Sequence, residues 1–456
     1  MKNIKVFYCI IIIACLTACE DFVEVGLPDS QLTGTAVFND RNTANAALAN
    51  TYAKLRDTGL LSGFAFGSPI ALGLYTDELN YYGGSGVNSE ILYNNALLPT
   101  SSIALQDWND SYHQIYCANA IIEGVERSSA LSQADRDQFT GEALFIRALV
   151  HFYLVNVYGA IPYIETTDHT VNRVASRMPE ADVYGKIVHD LEASLVLLPD
   201  QYSDVERVRP VKATAYALLA RTYLYMGLWA EASNAASAVL NDTAYMLEND
   251  LDLVFRKEST STIWQLRPGT IGGNTYEASA FIFLAGPPPS LALDPSFVES
   301  FVESDLRASH WVGVVTDGTD TWYYPNKYKL NMNTGASGEY SIIFRIEEQY
   351  LIRAEARARQ GELIGAVEDL NKVRNRAGLP DTTAISGDEI VAAVLHERRF
   401  ELFTEYGHRF FDLKRTLQLD TALSGKPGWN SSDRLWPLPE SEMAANPNLN
   451  PQNPGY

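Results

Sequence analysis

Residues 211–240 read VKATAYALLARTYLYMGLWAEASNAASAVL. Lys212 to Met226 holds no helix breaker, and Ala213, Ala217 and Ala220 recur along it at helical spacing. Gly227 stops the run, and Trp229 to Leu240 resumes it with Ala232, Ala235 and Ala236. Small residues on facing sides let two helices approach closely, while Tyr216, Tyr223 and Trp229 fill the wider gaps. The stretch therefore predicts a tight helical hairpin. A second copy fits Glu347 to Gln360, a break at Gly361, and Leu363 to Arg376, with Ala354, Ala356, Ala358, Ala366 and Leu370 as its cues.

Both hairpins resemble tetratricopeptide repeats, with Gly227 at the turn and Ala232 at the close crossing. Working outward, helices fit 42–55, Trp108 to Arg127, Ser132 to Tyr158 and Glu180 to Leu198, so degenerate repeats are expected in 108–158 and 180–198. Ser132 stands three residues before Asp135 as an N-cap. Gly159 and Pro162 close the same helix. Two regions lack the helical period. Residues 58–105 are rich in glycine, serine, asparagine and tyrosine around Gly83-Gly84-Ser85-Gly86, and are expected to form a long irregular excursion. Residues 245–345 are rich in turns and aromatics, with short strands expected at Thr262–Leu266 and Ser341–Arg345. The proline-rich stretch from Leu435 to Tyr456 is expected to be extended but packed.

The amino terminus carries a different signal. Lys2 and Lys5 precede an apolar run from Val6 to about Leu16, which is too short to span a bilayer. Leu16-Thr17-Ala18-Cys19 resembles a lipobox, so residues 1–18 are expected to be a signal peptide and Cys19 to be diacylated. Two or more acyl chains suffice for stable anchoring, so the lipid alone is expected to touch the membrane. Of the four cysteines, Cys9 and Cys15 leave with the signal and Cys19 is acylated, so Cys117 is left without a disulfide partner. A net charge of −21 disfavours nucleic acid as a partner.

Residues 385–415, ISGDEIVAAVLHERRFELFTEYGHRFFDLKR, interleave charge with phenylalanine. A helix from Asp388 to Thr404 would align Glu397, Glu401 and Glu405 on one stripe beside Arg398 and Arg399. Gly407 would end it, with Arg409, Asp412, Lys414 and Arg415 on a short second helix. Glu397, Arg399, Glu401, Arg409 and Asp412 are expected to form a partly buried structural ion network. An enzymatic reading of these carboxylates is the weaker one. His396-Glu397 lacks a second histidine at zinc spacing. The chain shows no P-loop, Rossmann fingerprint, nucleophile elbow or paired-cysteine metal site, so no cofactor or metal is expected.

That charged block closely resembles the C-terminal region of the SusD/RagB family of outer-membrane nutrient-binding lipoproteins. Three further stretches agree: Arg374 to Leu379, Arg147-Ala148 through Gly159 and Pro162, and Leu435-Trp436-Pro437-Leu438-Pro439 through Asn453-Pro454-Gly455-Tyr456. Glu20-Asp21 resembles the surface-export tag of lipoproteins in the bacterial group that carries this family. The resemblance implies a mostly α protein. About four tetratricopeptide-like helix pairs would form a scaffold, with an irregular, loop-rich ligand-binding part on the other side. One domain would span 19–456, with an N-terminal part at 19–240 and a C-terminal part at 245–456. It also implies a non-catalytic lipoprotein on the exterior of the outer membrane. Such a protein binds an oligosaccharide or polysaccharide, or in some members a peptide, and hands it to a SusC-like TonB-dependent transporter. A surface glycoside hydrolase using carboxylates from 77–90 or 299–320 is the alternative from another class.

Sugar rings stack their apolar C–H faces on aromatic side chains, while amides and carboxylates take their hydroxyls. The candidates in the first excursion are Asp77, Tyr81, Tyr82, Asn88 and Tyr93; in the second they are Tyr276, Trp311, Trp322 and Tyr323. Trp108, Tyr112, Trp229 and His151 read as core residues.

Overall fold

The computed structural model describes residues 37–64 and 66–456. The signal peptide expected at 1–18, the acylation expected at Cys19 and the acidic pair after it lie outside those residues. The amino-terminal part contains α1 (Arg41–Asp57), α2 (Ser68–Tyr75), β1 (Leu79–Tyr81), α3 (Asn88–Tyr93), α4 (Ser102–Arg127), α5 (Gln133–Tyr158), α6 (His169–Asn172), α7 (Glu180–Leu197), α8 (Lys212–Met226) and α9 (Trp229–Leu240). The middle contains β2 (Thr262–Leu266), α10 (Tyr276–Phe281), β3 (Leu291–Leu293), α11 (Pro295–Glu299), α12 (Leu306–Trp311), β4 (Val312–Thr316), β5 (Thr321–Pro325) and β6 (Ser341–Arg345). The remainder contains α13 (Ile346–Gln360), α14 (Leu363–Arg376), α15 (Gly387–Glu401), α16 (His408–Arg415), α17 (Leu419–Ala422) and α18 (Glu440–Ala445).

The long helices stack in an unbroken series: α1 on α4, α4 on α5, α5 on α7, α7 on α8, α8 on α9, α9 on α13, then α14 and α15 on α13. This is the mostly α scaffold that the family resemblance implies, and it contains the two hairpins that the alanine spacing predicts. Ala232, Ala236 and Ala217 are fully buried at the α8–α9 crossing, where a larger side chain would push the helices apart. Gly227 and Gly361 end α8 and α13 with φ of 73° and 83°, a left-handed conformation that glycine adopts without a Cβ clash. The Ser132 hydroxyl accepts the Asp135 N–H at 3.2 Å, as its position predicts.

The two excursions are more ordered than their composition suggests. Within 58–105, Ser68–Tyr75 forms a helix whose eight residues are all buried, and α4 starts at Ser102, earlier than expected. A helix buried all round shows no polar face, so it carries no amphipathic period to read. The two expected strands pair with each other: β2 runs antiparallel to β6, with Thr262 opposite Arg345 and Leu266 opposite Ser341, and both strands are buried throughout. Two further pairs form, β1 with β3 and β4 with β5. The carboxyl-terminal stretch packs as predicted, with Trp436 N–H on the Val157 carbonyl at 2.9 Å and Asn453 Nδ2 on those of Tyr158 and Trp436 at 2.8 Å each. Against the extended expectation it also forms the short α18 and a 3-10 turn at Pro447–Leu449.

Of the five residues expected in one ion network, Glu397, Glu401 and Asp412 form ion pairs that are more deeply buried than predicted. Glu401 is fully buried and accepts from Arg307 at 3.1 Å, from Arg376 at 2.5 Å and from Arg345. Glu397 pairs with Arg307 at 2.6 Å and Arg374 at 3.1 Å, and Asp412 with Arg398 at 2.7 Å and Arg415 at 2.8 Å. Two details correct the single-stripe expectation. The helix ends at Glu401, and Thr404 and Tyr406 take φ of 54° and 42°, because the Lys327 ammonium draws in the carbonyls of Glu401 and Phe403 at 2.8 Å each. Glu405 therefore reaches Lys327 and Arg345 from a loop. Arg399 and Arg409 leave this network and pair with Asp77 instead.

Candidate functional site

The antiparallel pairing of β1 with β3 is the event that builds the site. Tyr81 stands opposite Leu291 and Leu79 opposite Leu293, and the ladder continues with the Tyr82 N–H on the Ser290 carbonyl at 2.7 Å. β3 in turn packs on β5. Two sequence regions separated by some two hundred positions are thus brought together: Tyr82 and Tyr93 of the first both feel the charge of Asp294 in the second, and the strand that carries Trp322 packs beside β3.

Each aromatic is held in a definite way. Tyr82 is 38% exposed. Tyr81 is half-buried, and its hydroxyl donates to the Gly84 carbonyl at 2.7 Å. The chain can fold back over that phenol because a Cβ at Gly83 would lie 2.3 Å from its oxygen. The Gly86 N–H donates to Glu90 at 2.6 Å, which ties down the turn that holds the glycine stretch. Trp322 is half-buried over Gly286, where a Cβ would lie 2.0 Å from the indole. Tyr323 turns to the other face of the β4–β5 hairpin and packs on the main core.

Polar groups flank these rings. The Lys426 ammonium lies 4.1 Å from the centre of the Tyr93 ring. Burial lowers its pKa to about 8, against the pull of Asp294 and Asp77, so it remains charged at neutral pH. Burial also raises the Tyr82 phenol, and the charge of Asp294 adds to it. Neither Lys426 nor Asp294 carries a local sequence signal. Lys426 lies in an unremarkable Gly-Lys-Pro turn, and Asp294 reads as the helix cap it also is.

Several expected ligand contacts belong elsewhere. Trp311 is fully buried: its Nε1 donates to the Leu251 carbonyl at 2.9 Å, and Lys327 and Arg376 lie 5.1 and 5.2 Å from its ring, so no ligand reaches it. Asp77 is clamped by Arg409 at 2.7 Å and Arg399 at 3.2 Å. Burial would raise its pKa, but the bond and charge of Arg409 and the charge of Arg399 outweigh this and hold it low. Asp77 therefore supports the site from beneath. Asn88 is occupied by the Ser102 hydroxyl at 3.1 Å. Tyr276 bonds Asp57 at 3.1 Å and meets Phe64 edge-on at 5.5 Å, in the neighbourhood of Arg56 and Pro268. His151 is core, as predicted, stacked 3.8 Å from Tyr163.

Of the carboxylates in 77–90 and 299–320, Glu299, Glu303 and Asp320 are exposed, while most of the others are engaged in internal bonds. Besides Asp77 and Glu90, Glu78 is buried against the Thr404 N–H, and Asp305 holds Arg307 at 2.7 Å. The arrangement offers stacking faces and a mixed polar rim, the pattern of a sugar-binding surface.

Comparison with known proteins agrees along the chain. Residues 75–224 match a SusD-like family described as starch-binding and associating with the outer membrane, and residues 298–456 match the SusD family. A SusD-like protein of Formosa agariphila is 28% identical over 523 residues, covering 100% of both chains. A SusD superfamily protein of Bacteroides vulgatus has the same fold, with a TM-score of 0.80 at 21% identity over 91% of this chain and 99% of that one. A laminarin-binding SusD-like protein superposes with a TM-score of 0.76 at 25% identity, covering 91% and 99%.

Proposed function

Because this chain belongs to the SusD/RagB family, we propose that it is a non-catalytic, lipid-anchored protein of the outer membrane. It captures an oligosaccharide or polysaccharide on the Tyr82–Trp322 surface and delivers it to a SusC-like TonB-dependent transporter. The observation that carries the reading is the β1–β3 pairing, which brings the two aromatic regions together beside Lys426 and Asp294. The laminarin-binding relative lends support to a glycan as cargo. The engagement of Asp77, Glu78, Glu90 and Asp305 in internal bonds supports capture without cleavage. No helix among the described residues is long and apolar enough to cross a membrane, which leaves anchoring to the acyl chains expected at Cys19.

Isothermal titration against a polysaccharide panel tests the cargo. Saturable binding without release of reducing ends, weakened by Tyr82→Ala and Trp322→Ala, is the expected result. Silence toward every glycan together with binding of peptides would replace the cargo with a peptide. Reducing-end release would replace the binding protein with a hydrolase. Metabolic labelling with palmitate tests the anchor, and an unlabelled precursor would remove it.

A further inference from the structure

We propose that a second binding groove, on the helical side of the molecule, takes one or two rings of a neutral sugar. The groove encloses about 380 Å3 between α4, the segment after Pro162 and the carboxyl-terminal tail. That volume lies within the usual range for small-ligand sites. It shares no residue with the surface built by β1, β3 and β5.

Its floor is aromatic and its rim is uncommitted. Trp108 is buried, and its ring packs 4.8 Å from that of Tyr112. The Tyr112 hydroxyl donates to the Pro162 carbonyl at 2.8 Å, which fixes that ring at the base of the groove. One helical turn on, Tyr116 is 49% exposed. Asn109, Arg173 and Glu442 also line the groove, and among the described residues none of these three side chains has a hydrogen-bond or ion-pair partner. Asn172 and Asn446, by contrast, are spent on the carbonyls of Thr166 at 2.7 Å and Ala175 at 2.8 Å and so only shape the wall.

The unpaired charges select the ligand's chemistry. An anion entering the groove would meet Glu442, and a cation would meet Arg173. A neutral polyol suits both, since its hydroxyls donate to the carboxylate and accept from the guanidinium. The apolar floor then takes the C–H face of the ring. The sequence reading of Trp108 and Tyr112 as core holds for both, and the edge of the tyrosine that the core leaves uncovered lines the groove.

The test is a titration of laminarihexaose, cellohexaose and maltohexaose into the Tyr82→Ala/Trp322→Ala protein, with and without Tyr116→Ala and Arg173→Ala. All four positions are at least partly exposed, so folding is retained and is checked by thermal melting. At least one oligomer is expected to bind the first protein and to bind about tenfold more weakly once the groove changes are added. No residual binding to the Tyr82→Ala/Trp322→Ala protein, or residual binding indifferent to Tyr116 and Arg173, would overturn the groove. Binding that ignores Tyr82 and Trp322 but vanishes with Tyr116 and Arg173 would instead overturn the first surface and leave the groove standing.

Discussion

The helical stack and the irregular segment at 245–345 are held by different forces. In the stack each helix rests on its neighbours, and the close approaches at Ala217, Ala232 and Ala236 are made by the near-absence of side chain. The irregular segment has few long elements of its own. It is pinned to the stack by charged side chains that cross the boundary. Arg307 reaches Glu397 and Glu401, Lys327 reaches Glu405, and Arg345 at the segment's end reaches Glu401 and Glu405. Buried ion pairs cross the stack too, Arg147 to Asp190 at 2.6 Å and Arg221 to Glu348 at 2.7 Å, but they join helices that already pack on each other. Where the backbone wanders, its position is set by a few specific bonds that are costly to leave half-made.

The strongest way to break this comparison is Glu401→Gln. It leaves three buried guanidiniums short of a counter-charge and is expected to cost about 3–5 kcal/mol in urea unfolding. A loss below about 1 kcal/mol would show that the arginines find other partners and that the pins are dispensable. The same residue carries a pH signature. Burial works to raise its pKa, but Arg376, Arg345 and Arg307 outweigh that and hold it well below the ordinary value of 4.5. Its contribution is therefore complete above the unfolded pKa and is lost as pH falls below it. The acid limb of the stability curve should flatten in the variant.

Glu78 has the opposite sign. Burial, with the charge of Asp77, raises its pKa from 4.5 to about 7. Native protein then holds a proton that the unfolded chain has released, so this group lowers stability as pH rises from 4.5 through 7. Glu78→Gln is expected to be more stable than the parent at pH 8 by about 3 kcal/mol, with little difference at pH 4. An equal difference at both pH values would assign the effect to packing.

Within the stack, Ala232→Leu is expected to cost about 1–3 kcal/mol by overfilling the α8–α9 crossing, measured by thermal melting. An unchanged melt would mean that the helices can slide apart freely. The smallest stability effect belongs to the binding face. Tyr82→Ala should move folding by less than about 0.5 kcal/mol, yet weaken glycan binding by about 1 kcal/mol. A large loss of stability there would recast the exposed ring as part of the core.

What was legible in the sequence follows the same division. Helix hairpins at 211–240 and 347–376 could be read because their alanines and glycines repeat locally, and each of those residues packs on a helix near it in the chain. The strands at 262–266 and 341–345 were also legible as short apolar runs. The buried helix Ser68–Tyr75 was hidden by uniform burial. Trp311 could not be told from Trp322 by composition, because one is enclosed by Lys327 and Arg376 and the other lies on a hairpin edge, and neither setting is local. Lys426, Asp294 and the groove beside Tyr116 were not legible because their partners lie far along the chain.

The sequence by itself determined the helix hairpins and the two stretches that depart from them, since periodicity and turn chemistry act over a few residues, and its motifs marked the family. Tertiary structure alone decided which aromatics face outward and which carboxylates are spent on arginines. Those outcomes depend on pairings such as β1 with β3 and Asp77 with Arg409, where the partners are hundreds of residues apart and only the folded chain brings them within bonding distance.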